Sequence, residues 1–347
     1  MKNKFLVGTA TFFCTLLIII VFFNFSDSST KQNFHLDRKY DAKNYGLNFE
    51  KIFTKMSKSD YLMSTDSDKL LVEFDKEKID DLNSKFTFYF DDLLNKDSLV
   101  LELPSESKVL YSSLNRIYYT KQFNFYECNE QNNINQIKFK DLKIISVVPI
   151  DEVGNLLCLG EFFKNQKYNL GFFKVNKLNA TVEICKIIEE NSTTKFPQSY
   201  LQYSGDFNSH EKEQCLTYTC DKYSKVYFFN DDGSYLKEFS TIDNSQIPEI
   251  ITNQEGFNYY SRKNTYNTNE GLFIKNNDVF ILSTYNEFYS KIIIDVYDLN
   301  SLKYKKSLKF NLDHFASKNI RNILFKNDKL IIALDHNYAS FIFSRYI

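Results

Sequence analysis

The stretch from Val226 to Phe239, VYFFNDDGSYLKEF, contains a group of possible metal ligands. Asn230, Asp231 and Asp232 precede Gly233, and oxygen atoms of such side chains are the ligands that Ca²⁺ prefers. A calcium loop of EF-hand type needs spaced oxygens, D-x-[DN]-x-[DN]-G, and a distant Glu. Here the acids are consecutive and an apolar run resumes at once, whereas Gly, Asp and Asn all suit a tight hairpin. We therefore interpret the stretch as a turn between two strands.

The other acidic and histidine-containing segments give no stronger signal for chemistry. His314 and His336 each follow an Asp, but adjacent residues on a strand point to opposite faces, so neither pair is a dyad. The segment 204–213, SGDFNSHEKE, is expected to be a loop. It gathers the possible ligands Asp206, His210, Glu211 and Glu213. Their spacing fits no tetrahedral or helical metal site, so the sequence predicts no catalytic, cofactor-binding or metal-binding residue and no cofactor.

Aromatic and basic residues are mixed in FNYYSRKNTYN, residues 257–267. Such a mixture can stack on sugars or bases. The formal net charge of −1 argues against a nucleic-acid partner, because nucleic-acid binding needs a basic surface. A sugar or polymer surface stays open beside the simpler interpretation of a long loop between strands.

The N-terminus predicts a membrane location. Lys2 and Lys4 precede an apolar run from Phe5 to Phe25, which as a helix is about 30 Å long and spans a bilayer core. A cleaved signal peptide has a shorter apolar region and a small-x-small site, so we expect an uncleaved signal anchor; a cleaved signal and a buried helix are the alternatives. Residues 1–4 would be a cytoplasmic stub, and the chain after the anchor would lie in the periplasm or outside the cell.

The five cysteines after the anchor are odd in number and irregular in spacing: Cys128, Cys158, Cys185, Cys215 and Cys220. This is not a disulfide framework, although the predicted compartment would allow one. We expect them to be small residues of the core.

Residues 26–60 are predicted to be a tether. Its first part, up to residue 44, is polar and aperiodic. Phe49, Ile52, Phe53 and Met56 then recur at helical spacing, which predicts a short amphipathic helix or a docking segment, packed on its own domain, on the membrane or on a partner helix.

Residues 61–347 are predicted to form one all-β domain. The 34 Phe and 24 Tyr are strand formers, and a strand–polar turn–strand unit recurs at 124–139, 171–187, 226–239 and 292–310. Two further short apolar runs precede each unit, as in four-stranded propeller blades. Five blades are clear, and a sixth could come from 62–104 or 245–268. The last unit lacks one strand, which we expect an N-terminal segment such as 86–90 or 98–103 to supply and so close the ring.

Three segments carry a resemblance to a known group: YDLNSLKYKKSLKF (297–310), NDKLIIALDHNYASFIFSRYI (327–347) and LTYTCDKYSKVYFFNDDGSYLKEFSTID (216–243). Together with the anchored N-terminus they resemble membrane-tethered, propeller-like proteins of Bacteroidota over roughly residues 120–347. The resemblance implies a propeller-like fold and a membrane location, and it carries over no activity and no functional residue.

Two functions fit these observations. The first is a membrane-anchored binding or scaffold protein of the bacterial cell envelope with a protein or glycan partner. The second is an extracytoplasmic propeller enzyme, a lyase or hydrolase acting on an envelope polymer. A scaffold predicts an exposed apolar or aromatic patch, whereas an enzyme predicts inward-facing residues with perturbed pKa values. The absence of a catalytic motif favours binding.

Overall fold

The computed structural model describes residues 38–41, 45–54, 70–78, 83–91, 96–104, 107–112, 116–122, 124–191, 199–261, 265, 268–283, 291–311, 320–326, 329–334 and 337–345. Within these ranges the chain is almost entirely antiparallel β-sheet, as predicted. None of the described residues forms a helix that is long and apolar enough to cross a membrane. The predicted anchor at 5–25 lies outside these ranges.

The described strands form six sheets of three or four strands, which we call blades 1 to 6, and one two-stranded hairpin. Blade 1 has three strands: β2 (Leu70–Lys78), β3 (Asn83–Asp91) and β4 (Lys96–Pro104). Blade 2 has β5 (Lys108–Ser112), β6 (Arg116–Lys121), β7 (Asn124–Asn129) and β8 (Ile134–Ile137). Blade 3 has β9 (Leu142–Pro149), β10 (Asn155–Lys164), β11 (Lys167–Asn176) and β12 (Thr181–Asn191).

A short helix, α1 (Ser199–Gln202), leads into the second half of the chain. Blade 4 has β13 (Gly205–His210), β14 (Cys215–Cys220), β15 (Lys225–Asn230) and β16 (Tyr235–Ser240), with a 3₁₀ turn at Glu211–Glu213. A hairpin of β17 (Ile250–Thr252) and β18 (Asn258–Tyr260) follows. Blade 5 has β19 (Asn269–Lys275), β20 (Asp278–Ser283), β21 (Lys291–Asp298) and β22 (Tyr304–Asn311). Blade 6 has β23 (Ile320–Lys326), β24 (Lys329–Leu334) and β25 (Asn337–Arg345).

An N-terminal strand, β1 (Tyr45–Thr54), completes blade 6 by pairing with β25. Closure by an N-terminal strand was predicted, but the segment was not: residues 86–90 and 98–103 lie in β3 and β4 of blade 1. The predicted amphipathic helix around Phe49 and Phe53 is wrong, because both residues lie in β1. Phe and Ile suit a strand as well as a helix face, and the open edge of β25 decides between the two.

The blades pack in chain order, as in a propeller. The first strands of neighbouring blades contact one another from β5 through β9, β13 and β19 to β23, so these strands are innermost. Apolar clusters fill the spaces between blades 2 and 3, 3 and 4, and 4 and 5. In the second of these Phe172 is fully buried, and its ring centre lies 5.2 Å from that of Tyr218 and 4.8 Å from that of Phe229. Edge-to-face aromatic packing of this kind holds one blade on the next.

The described cysteines, all five beyond the predicted anchor, carry free thiols. Four are buried and Cys185 is half-buried. The prediction that they serve as small core residues instead of bridges is therefore confirmed for this part of the chain.

Residues 38–41 extend along blade 5. Tyr40 bridges to Ser307 in β22, the Asp41 N–H donates to the Ser307 carbonyl at 3.0 Å, and the Ser307 N–H donates to the Lys39 carbonyl at 2.9 Å. This part of the segment predicted to be a tether thus belongs to the folded domain.

Arg38 anchors this arm in the interior. Its guanidinium is almost fully buried and pairs with both oxygens of Asp295, at 3.0 and 2.9 Å. It also pairs with Asp243 and donates to Ser283 Oγ at 2.9 Å. Burial raises the pKa of Asp243 to about 6 although the charge of Arg38 lowers it. The two aspartates come from the loop after blade 4 and from blade 5, so one cation ties the N-terminal arm to both.

Candidate functional site

The connections between strands fall on two opposite faces of the ring. The strands of each blade are antiparallel. The chain therefore enters the first strand of a blade on the same side as the turn that joins the second and third strands of that blade. We call this side the upper face. The turns between first and second strands and between third and fourth strands share the lower face, as the 3.0 Å hydrogen bond from the Lys177 N–H to the Gly154 carbonyl shows in blade 3.

The hairpin β17–β18 stands on the upper face, since it interrupts the connection from blade 4 to blade 5. Its turn is built around Asn253, whose side-chain oxygen accepts the backbone N–H groups of Glu255 at 3.1 Å and Phe257 at 2.8 Å. Gly256 supplies the φ of +85° that closes the loop. An amide side chain that satisfies its own loop in this way is typical of turn-forming Asn.

One side of the hairpin is held against the protein. Ile250 pairs with Tyr260 across the two strands. The Tyr260 hydroxyl donates to the Leu201 carbonyl of α1 at 2.7 Å and lies 3.0 Å from Ser204 Oγ. The Lys222 ammonium sits 5.0 Å from the centre of the Tyr260 ring. The position of the hairpin is therefore fixed by contacts to blade 4 and to α1.

The other side of the hairpin faces solvent. Ile251 pairs with Tyr259, so these two side chains share one face of the hairpin, and Phe257 lies in the turn directly before β18. Their exposed fractions are 37% for Ile251, 66% for Phe257 and 48% for Tyr259. We call these three residues the exposed hairpin face. It includes the first part of the aromatic and basic segment that the sequence predicted as a possible sugar or polymer surface.

A second feature of the upper face lies toward the centre of the ring. Asp206 is in the innermost strand of blade 4 and Asp221 in the turn between β14 and β15. The Asp221 N–H donates to the Ser204 carbonyl at 2.9 Å, and its own carbonyl accepts the Thr268 N–H at 2.6 Å. Both residues therefore lie at the upper end of blade 4.

Electrostatics make these two carboxyl groups unusual. Burial raises the pKa of Asp206, and the charge of Lys108 in blade 2 lowers it. Burial also raises the pKa of Asp221 well above its usual range, and the charge of Asp206 raises it further. Asp206 itself is solvent-accessible.

The segment 204–213 is not the predicted loop. It forms β13 and the 3₁₀ turn, because its residues pair along β14 from Gly205↔Cys220 to His210↔Cys215. His210 is buried and its Nε2 lies 3.0 Å from Thr217 Oγ1, whereas Glu211 is exposed. The four possible ligands are thus spread along a strand and a turn, and no group of three or more metal-ligating side chains is found in the described part of the chain.

The stretch Asn230 to Gly233 is a turn between β15 and β16, as predicted. The Gly233 N–H donates to the Asn230 carbonyl at 3.0 Å, Gly233 has a φ of +82°, and Asp232 Oδ1 accepts the Ser234 N–H at 2.8 Å. The turns at 129–133, 176–179 and 298–301 occupy the same place in their blades. His314 and His336 lie outside the described residues.

Sequence reasoning missed Asp221 and a buried acid in β10, Glu161. Glu161 interrupts an apolar run, LLCLGEFF at 156–163. A charged residue inside such a run was the available signal, because a buried charge needs a partner or a function.

Searches among family models and among curated proteins found no match. Solved structures with a similar shape were found. A member of the DUF4221 family from Bacteroides vulgatus is 10% identical, with a TM-score of 0.41, and the match covers 88% of this chain and 99% of that one. The β-propeller domain of Myceliophthora thermophila Cps50 (Swd1) is 8% identical, with a TM-score of 0.44 and coverage of 86% and 99%. A protein of unknown function from Bacteroides caccae is 11% identical, with a TM-score of 0.36 and coverage of 72% and 78%.

These matches include a β-propeller domain and two Bacteroides proteins. At these identities and TM-scores they assign no activity to this chain. Its membrane tether stays a prediction.

Proposed function

We propose that this chain is a membrane-anchored, extracytoplasmic binding or scaffold protein of the bacterial cell envelope. In this proposal the N-terminal segment 5–25 holds the propeller at the membrane, and the upper face binds a protein or glycan partner. The exposed hairpin face carries the proposal. It presents three apolar side chains on a hairpin whose opposite side is fixed, so little ordering entropy is lost when a partner covers it.

Aromatic residues suit both partner classes. Phe and Tyr are enriched at the centres of protein interfaces, and their rings also stack on flat ligand faces. Thr252 and Asn258, the next pair along the hairpin, are hydrogen-bonded to each other at 2.8 Å. This bond joins the two strands, so a partner meets a preformed apolar surface.

A capture experiment tests this function. The full chain, tagged and extracted from envelopes in mild detergent, is compared with a Phe257→Ala/Tyr259→Ala variant and with Leu178→Ala. Leu178 is 72% exposed in a lower-face turn, so it controls for loss of surface apolarity. We expect one protein or envelope polymer to be retained by the unchanged chain and by Leu178→Ala, and lost from the double variant. Equal retention by all three, or retention of nothing, would refute binding through this face.

A second function is favoured by the two acids of blade 4, Asp206 and Asp221, whose pKa values are raised. A carboxyl group with a raised pKa is suited to act as a general acid, which a lyase or hydrolase of an envelope polymer requires. We expect the full chain to release fragments from such a polymer if this function holds, and Asp206→Asn/Asp221→Asn to abolish the release. Release that persists in the double variant would show that another component is responsible.

A further inference from the structure

A cavity of about 540 Å³ opens on the upper face between blades 2 and 3. Phe139 and Asp141 come from the connection between these blades, Lys143 from β9, Glu161 and Phe163 from β10, and Tyr168 from β11. Its volume lies within the range of small-molecule sites. It is separate from the hairpin, so the inference below does not depend on the proposed function.

The walls of this cavity are held by backbone pairing. Glu161 lies opposite Lys143 in β9, and Phe163 lies opposite Tyr168 in β11. The Phe163 N–H donates to the Asp141 carbonyl at 2.8 Å. The rings of Phe163 and Tyr168 have centres 4.7 Å apart. The cavity is therefore preformed, with two aromatic rings beside two carboxyl groups.

Glu161 is the unusual member of this lining. It is 5% exposed, and its Oε1 is buried without a hydrogen-bond partner. A buried carboxyl oxygen that receives no hydrogen bond is costly. An oxygen in this state is ready to accept a donor from a ligand.

The charges in the lining indicate which donor fits. Asp141 and Glu161 are acidic and Lys143 is basic, so one negative charge is uncompensated when both acids are ionised. Aromatic ring faces attract cations. We propose that this pocket binds a small organic cation, an ammonium group carried on an aromatic or aliphatic body, with the ammonium donating to Glu161 and the body packing on Phe139, Phe163 and Tyr168.

The binding of 2-phenylethylamine to the full chain tests the proposal, with 2-phenylethanol as the neutral probe of the same shape. Titration calorimetry in mild detergent at about pH 8 is expected to show at least roughly tenfold tighter binding of the amine, the size of effect that a charge-assisted hydrogen bond supplies. Equal affinity for the two probes, or binding of neither at about 10 mM, would overturn the proposal.

Two variants locate the binding. Glu161→Gln keeps the size of the side chain and removes its charge, so it should weaken the amine at least tenfold and leave the alcohol unchanged. Glu152→Gln, at an exposed position in a lower-face turn, should change neither. Amine binding that Glu161→Gln leaves unchanged would place the ligand elsewhere and overturn the assignment.

The pH dependence gives a readout that does not need a variant. Burial raises the pKa of Glu161 to about 7, while Lys143 lowers it; Asp141 and Tyr168 are the other titratable groups of the lining. Because the ammonium binds the ionised carboxylate, the affinity of the amine should rise about 100-fold between pH 5 and pH 8. An amine affinity that does not change over this range would contradict the role of Glu161.

Discussion

The substitution Glu161→Gln should stabilise the protein in a way that depends on pH. Burial raises the pKa of Glu161 from its ordinary value of 4.5 to about 7 in the folded protein. Between these two values the folded state holds a proton that the unfolded state has released. The stability that Glu161 contributes is therefore fully present below about pH 4.5 and is lost as the pH rises through about 7.

The size of the effect follows from the same two values. Each tenfold change in proton affinity corresponds to about 1.4 kcal/mol, so ionising Glu161 in its folded environment costs about 3 kcal/mol between pH 4 and pH 8. Gln has nearly the same shape and does not titrate. Relative to the unchanged chain, the variant should gain about 3 kcal/mol of unfolding free energy over this pH range.

Urea unfolding of the full chain, followed by circular dichroism at about pH 4, 6 and 8, measures this difference from the midpoints and slopes. Glu152→Gln serves as the control, because its exposed carboxyl group should give the same difference at every pH. A Glu161→Gln difference that stays constant within about 1 kcal/mol across the range would refute the claim that burial, only partly offset by the charge of Lys143, controls the pKa of this carboxyl group.

Arg38→Met should cost about 3–5 kcal/mol, since it leaves two buried aspartates without their cation; Lys39→Met, at an exposed neighbour, should be nearly neutral in urea unfolding, and equal effects would contradict a structural role for the buried pair. Gly233→Ala should lower the melting temperature more than Gly256→Ala. Both glycines have positive φ, but a Cβ at Gly233 would lie 2.6 Å from a side-chain carbon while one at Gly256 meets nothing within 4 Å. A larger loss of melting temperature in Gly256→Ala would show that steric contacts do not determine the cost of these substitutions. The Cys158 thiol, whose pKa burial raises, should resist iodoacetamide until the chain is unfolded, and labelling of the native chain by mass spectrometry would contradict its burial.

The repeat and its turns could be predicted because their signals are local. Asn230 to Gly233 needs only turn chemistry and flanking strand formers, and the same holds for the turns of the other blades. The spacing of these turns then predicted four-stranded blades. The all-β class and the place of the missing strand at the N-terminus followed from the same pattern.

The rest depends on contacts between residues that are distant in the sequence. The spacing of Phe49 and Phe53 fits a helix face, and only the pairing of β1 with β25 places them in a strand. Arg38 lies in a polar segment of the sequence, and only the fold brings Asp243 and Asp295 beside it. The sequence predicts that Asp206 lies in a loop. In the structure it lies in β13, and its charge raises the pKa of Asp221. The cavity at Glu161 exists only because blades 2 and 3 lie side by side. No local pattern reports such neighbours.

The pairing of β1 with β25 has a consequence for the order in which the chain folds. Among the described strands, the earliest in the sequence pairs with the latest, so blade 6 stays incomplete until β25 has been synthesised. The entropy of closing so long a loop grows only slowly with its length, but until β25 is synthesised the edges of β1 and β24 are open to other chains. We expect a nascent chain to carry four or five finished blades and two unpaired edges, and a helper that shields those edges would matter most in the last moments of biosynthesis.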